Sequence, residues 1–241
     1  TLLASSAAQM CIRDSSVDAY IARMVQKGYK VAVCEQMQDP KEVKGLVERD
    51  ITRIVTPGTV TESCMLDENK NNYMACVYGE NHRYGMAFCD VSTGAFYATT
   101  CADAQAVASE LGRFSPSEVL RFGQYVDTDL IDDALFHRLS CCVDEGTQEL
   151  FCRERCEQLL ESHFKATVAQ LGLATFPLAV IASGALLQTL LELQKNDLAH
   201  IRRLQYYTGG KFMELDMDAR RNLELTETMR SKEKRGSLLW V

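Results

Sequence analysis

NYMACVYGENHRYGMAFCDVSTGAFYATTC, residues 72–101, holds three short runs of apolar and small residues separated by two polar turns. The runs YMACVYG, RYGMAFCD and AFYATTC are β-rich, and GENH and VSTG between them carry turn residues, so the stretch predicts an antiparallel meander. Downstream the pattern alternates. DAQAVASELGRF reads as a helix with Asp103 as its cap, SEVLRFG as a strand, TDLIDDALFHRL as a helix, SCCVDEG as a strand, and TQELFCRERCEQLLESHF as a long helix.

The resulting order, βββαβαβα, resembles the ribonuclease H-like order, a mixed sheet flanked by helices. Upstream, SVDAYIARMVQKGYKVAVCEQ reads as a helix then a strand: Val17, Tyr20, Ile21, Met24 and Val25 recur at helical spacing, and Gly28 is a candidate C-cap. QDPKEVKGLVERD is a charged loop, and ITRIVTPGT a short strand stopped by Pro57–Gly58, the expected domain boundary. After Pro177, LAVIASGALLQTLLELQKN forms an apolar helix, and the short link HIRRLQYYTGGKFMELD precedes a helix starting near Asp216 or Asp218. Residues 66 to 175 are expected to hold all five strands and to fold alone.

At 241 residues and 46% hydrophobic content, the chain can build one or two domains with a real core. The net charge of −7 argues against a surface built uniformly for nucleic acid. Its distribution is uneven: +1 over residues 17–58, −11 over 59–197 and +3 over 198–241. An acidic middle repels phosphate, whereas the flanks can approach it. No charged segment followed by a long apolar run opens the chain, and Gln170, Gly172, Pro177, Ser183 and Gln188 make 166–191 too polar for a membrane span. The ten cysteines form no CxxC pair, and Cys152, Cys156 and His163 would make only a partial zinc face. They read as reduced thiols serving as small apolar residues, which points to the cytoplasm.

Three segments together resemble the MutS family of DNA mismatch-recognition proteins. VDAYIARMVQKGYKVAVCEQMQDPKEVKGLVERDITRIVTPGT is similar to the end of the family's mismatch-recognition domain. The meander with DVSTGAF is similar to the start of its ribonuclease H-like connector, and LDMDARRNLELTETMRSKEKRGSLLWV to the start of its core and lever. The resemblance implies four stretches: a leader over 1–15 unrelated to the family, recognition domain over 16–58, connector over 59–176 and helical core/lever over 177–241. It also implies that the chain is an internal piece of a longer protein. That parent would be a homodimer that binds mismatched double-stranded DNA, uses ATP and magnesium in a distant domain, and meets a MutL-type partner through its connector. MCIRDS stands where the family has Gly-x-Pro-x-His before Val17, and the Phe-x-Glu wedge expected upstream of it is absent.

The chemistry of individual residues fits a scaffold. A ribonuclease H-like nuclease, the alternative reading, needs converging carboxylates, the first in mid-strand one, but YMACVYG has no acid. Asp90, four residues before Gly94, therefore reads as a turn residue, and Glu110 and Glu118 lack partners for a metal pair. His82, His137, His163 and His200 read as solvated surface residues with no nucleophile beside them. Arg23 and Lys27, at i,i+4 on the polar face of the first helix, are the candidate DNA-phosphate contacts. Arg220, Arg221, Lys232, Lys234 and Arg235 read as packing or surface-pairing residues. YTGGKF at 207–212 lacks the first glycine and the Ser/Thr of a phosphate loop, so it reads as a turn, and no cofactor, metal or catalytic residue is expected here.

Overall fold

Alternation within the meander assigns the two faces of a sheet. In a computed structural model, which describes residues 14–38, 48–61, 71–123, 128–139, 141–208, 215, 217–225, 228–231 and 235–240, both faces are covered. The helix α1 (Asp14–Val25) leads into an antiparallel pair, β1 (Val31–Gln36) and β2 (Arg49–Val55). The meander follows as β3 (Tyr73–Glu80), β4 (Arg83–Asp90) and β5 (Ala95–Cys101), then α2 (Ala104–Phe114) and β6 (Glu118–Gly123). Next come α3 (Thr128–Asp132), which runs on as the π-helical stretch Asp133–Arg138, then β7 (Cys142–Glu145) and α4 (Arg153–Phe164). The chain continues through α5 (Pro177–Gln194), β8 (Leu204–Tyr206) and α6 (Met217–Asn222).

Six strands form one mixed sheet in the order β7-β6-β3-β4-β5-β8, with β6 parallel to β3, β7 parallel to β6, and β8 parallel to β5. Along β3, Met74 and Cys76 face one core while Tyr73, Ala75 and Val77 face the other. The first core is shared with α4 and α5, through Cys156, Leu160, Leu186 and Leu190. The second is closed by α2 and α3, through Val107, Leu111, Ile131 and Leu135. Period-two alternation thus places a three-layer α/β/α unit around β3 and β4. Asp103 caps α2 as its position in the sequence implies, its side chain accepting from Ala106 N at 2.8 Å.

The small sheet has its own cluster, where Ile21 and Val25 of α1 bury against Val55 and Val60. α1 stops at Gly28, whose N–H donates to Val25 O at 2.8 Å while Tyr29 N reaches Met24 O at 3.1 Å.

Three expectations need correction. The helix read from Thr147 begins only at Arg153, because Phe151 turns into the core and stacks on Phe122 and Tyr78, with centroids 5.0 and 5.5 Å away. The link before the last helix contains β8, a sixth strand. Residues 177–206 complete the sheet unit instead of opening a separate helical segment at 177. α5 is buried along most of its length, and it crosses β4 so closely that a Cβ on Gly85 would lie 2.1 Å from Leu178 O. It is also the described helix long and apolar enough to span a membrane, with 67% of that window buried inside the fold. The stretch around Pro57–Gly58 is packed inside the fold: Val55, Thr56, Gly58, Thr59 and Val60 are all buried.

Candidate functional site at the junction of the two sheets

That buried junction is where the two sheets meet, and a carboxylate organises it. Glu118 is the first residue of β6, paired in register with Met74 of β3 and Cys142 of β7, and its side chain is fully buried. A buried carboxylate is costly unless it is hydrogen-bonded or paired. Its Oε2 accepts a short hydrogen bond from Thr56 Oγ1 and another from Gly58 N at 3.0 Å. Its Oε1 accepts no hydrogen bond and faces Lys30 Nζ at 3.7 Å. The same ammonium donates to Asp144 Oδ2 at 2.5 Å. Burial holds the Glu118 carboxyl above the ordinary glutamate range, and the Asp144 carboxyl adds to the rise; Thr56, Gly58 N–H and Lys30 pull against it.

The rest of the junction is equally tied. Thr56 N donates to Thr59 Oγ1 at 2.9 Å, Asn72 Nδ2 to Pro57 O at 2.9 Å, and Ser117 Oγ to Asn72 Oδ1 at 2.6 Å. From α5, Gln194 Nε2 donates to Thr59 O at 3.2 Å. Gly58 has no room for a side chain: a Cβ there would lie 2.8 Å from Glu118 Cβ and 2.9 Å from Met74 Cβ. The sequence signal for this site was faint, since Thr56 and Glu118 stand 62 positions apart and neither belongs to a motif.

Arg23 is exposed on the last turn of α1, 6.0 Å from the Tyr20 ring centroid, whereas Lys27 is exposed in the turn that follows Val25 and not on the helix face expected for it. Exposed Tyr20 and Met24 extend the same helix surface. These cations therefore sit on the small-sheet side of the junction, remote in sequence from the acidic sheet unit.

Asp90 shapes the turn after β4. Its Oδ1 accepts from Ser92 N at 2.9 Å and Ser92 Oγ at 2.6 Å, and Gly94, at φ +75°, returns its N–H to Asp90 O at 2.9 Å. The turn uses the carboxylate, and β3 beside it carries no acid before Glu80 at its exposed end, so mid-strand gives a nuclease no first ligand and the nuclease reading finds no support. Glu110 accepts from Tyr207 OH at 2.5 Å and lies 3.6 Å from Arg113, which anchors α2 to the chain beyond β8.

His163 is half-buried where a solvated residue is expected, and His200, exposed as expected, is also tied to the backbone. His163 Nε2 lies 3.0 Å from Ile201 O, and His200 Nε2 lies 2.7 Å from Val91 O. A carbonyl only accepts, so each Nε2 carries the proton and braces the segment before β8 against the sheet. Cys152, Cys156 and His163 do not converge: Cys152 Sγ donates to Glu154 Oε2 at 3.2 Å and Cys156 Sγ to Leu150 O at 3.4 Å. Burial pushes the Cys156 thiol up to about 12, so it packs as an apolar residue. Among the described residues no group of three or more His, Cys, Asp or Glu side chains is placed to hold a metal. Arg220 Nη1 reaches Gly112 O at 3.3 Å and Arg235 lies 5.9 Å from the Trp240 ring, while Lys232, Lys234 and Gly209–Phe212 fall outside the described residues.

Comparison with known proteins covers the small sheet and five strands of the large one, β3 to β7. Residues 72–202 match the family model described as MutS domain II, and residues 4–64 match MutS domain I. The domain II match takes in α5, and the domain I match reaches into the leader that the sequence reading set apart. The DNA mismatch repair protein MutS of Acetivibrio thermocellus is 44% identical over 238 residues, covering 97% of this chain and 27% of its own length. That of Syntrophomonas wolfei is 39% identical over 243 residues, covering 99% and 28% respectively. The chain therefore spans about a quarter of the length of the curated relatives it matches. With the domain II model matching more than half of the chain and domain I matching just before it, the chain belongs to the MutS family.

Proposed function

We propose that these residues form the recognition-to-connector part of a MutS-type protein and act there as scaffold and partner surface, not as an enzyme. The intact cytoplasmic protein would bind mismatched double-stranded DNA as a homodimer and use ATP with magnesium in a domain outside these residues. Its connector, a ribonuclease H-like unit running from residue 59 through β8, would meet a MutL-type partner. Residues 16–58 would close the mismatch-recognition domain, and the core/lever would begin near Met217. The observation that carries this reading is the succession of domains I and II in one chain, joined through a buried junction. The charge of −11 over residues 59–197 favours a protein-facing connector over a DNA-facing one.

Arg23 and Lys27 would contribute phosphate contacts, which position DNA without reading its sequence. A salt titration of the intact protein tests this. The Arg23→Ala, Lys27→Ala double variant should lower affinity for homoduplex and G·T duplex by the same factor and reduce the salt slope by about two units. An unchanged slope would remove both residues from the DNA face.

A further inference from the structure

We propose that Val55–Val60 is a rigid joint, locked by Glu118, that fixes the orientation of the α1/β1/β2 unit on the six-stranded sheet. A Pro-Gly followed by polar residues ordinarily gives a flexible connection. Here every residue of the stretch but Pro57 is buried, and the small-sheet unit is held from three separate elements, two of them at this stretch and the third at Lys30. Glu118 of β6 takes Thr56 and Gly58, Asp144 of β7 takes Lys30, and Gln194 of α5 takes the carbonyl of Thr59. Attachment at three points on three different elements leaves a rigid body no axis to turn about. The glycine at 58 lets the backbone approach Glu118 and Met74 more closely than any Cβ allows, so the joint closes without a gap. Glu118 is hydrogen-bonded through its backbone strand to both neighbours, so a displacement of the small sheet is delivered to β3 and β7 together. The joint would work this way whatever ligand the small-sheet side carries.

Hydrogen exchange read by mass spectrometry on the full chain tests the proposal. In Glu118→Ala, amides of residues 49–60 should exchange about tenfold faster or more, the factor expected for losing a buried acceptor, while β3–β5 keep their protection. Thr56→Val keeps the shape, removes the hydroxyl donor and should loosen the same residues. Wild-type exchange over 49–60 in both variants overturns the proposal, as does equal loss of protection in β3–β5 on Thr56→Val. If Glu118→Ala unfolds the whole sheet, Thr56→Val and Lys30→Ala decide alone. Loosening confined to the small sheet supports the joint, and no change refutes it.

Discussion

Lys30 Nζ lies between two carboxylates, 2.5 Å from Asp144 Oδ2 and 3.7 Å from Glu118 Oε1. One ammonium thus serves two acids, and one of those acids is fully buried. The balance among the three groups makes the junction sensitive to pH. Glu118 is raised by burial first, so its pKa in the docked state exceeds that in the unfolded chain and docking takes up a proton. Its contribution is therefore fully present below the ordinary glutamate range and is lost as pH rises through the raised value. Comparing wild type with Glu118→Gln in denaturant melts from acid to neutral pH, the wild-type advantage should shrink as pH rises. A constant difference across that window would show that Glu118 keeps the same protonation state in both forms.

Replacing the shared cation should act in the opposite direction. Lys30→Met removes the cation facing Glu118, and the loss should be greater at pH 8 than at pH 5 because the raised Glu118 carboxyl carries more charge at the higher pH. Lys30 is 47% exposed, so solvent screens the pair and the effect should stay within about 1 kcal/mol. Paired urea titrations at the two pH values measure it.

Gly58→Ala and Gly172→Ala separate two reasons for a glycine. At position 58 the obstacle is space, and overpacking against Glu118 and Met74 should cost about 1–3 kcal/mol. At position 172 nothing lies within 4 Å, but φ is +77°, so only backbone strain of about 1–2 kcal/mol should appear. Hydrogen exchange distinguishes them further, since only Gly58→Ala should loosen β1 and β2.

Asp90→Ala should destabilise the sheet unit by about 0.5–1.5 kcal/mol, because Ser92 N and Oγ lose their acceptor at a turn whose tip is exposed. Asp90→Asn keeps an acceptor oxygen and should lose less. Equal losses in thermal melts would mean that the negative charge, not the hydrogen bond, holds the turn.

The fifth prediction concerns the unit that folds. A piece ending at residue 176 lacks α5 and β8 and exposes the core face of Met74, Cys76 and Ala87, so it should not melt cooperatively. A piece covering 71–208 should. Circular dichroism with calorimetry on the two pieces decides between the boundary read from sequence and the one seen in the fold.

That difference has a physical origin. The meander was legible because β3 and β4 alternate between two cores, and alternation with turn residues is a local signal. α5 was legible as a helix but not as a member of the sheet unit, since Ala179 to Leu187 are buried all round and show no polar face to orient it. β8 has only three residues and gains its identity from pairing with Phe96–Ala98. Glu118 reads from the sequence as an acid without partners. Its actual partners, Thr56 and Gly58, lie 62 and 60 positions away, beyond any spacing rule.

The late position of α5 also governs how the chain can be made. As residues emerge from the ribosome, β3, β4 and β5 can pair early, and α2 with α3 can cover one face. The other face, lined by Met74, Ala87 and Phe96, waits until Leu186 and Leu190 have been synthesised. During that interval the nascent sheet presents an uncovered apolar surface and an open β5 edge, since β8 is later still. A pause in translation before Pro177 would prolong that exposure, whereas one after Tyr206 would come when both the face and the edge can already be closed.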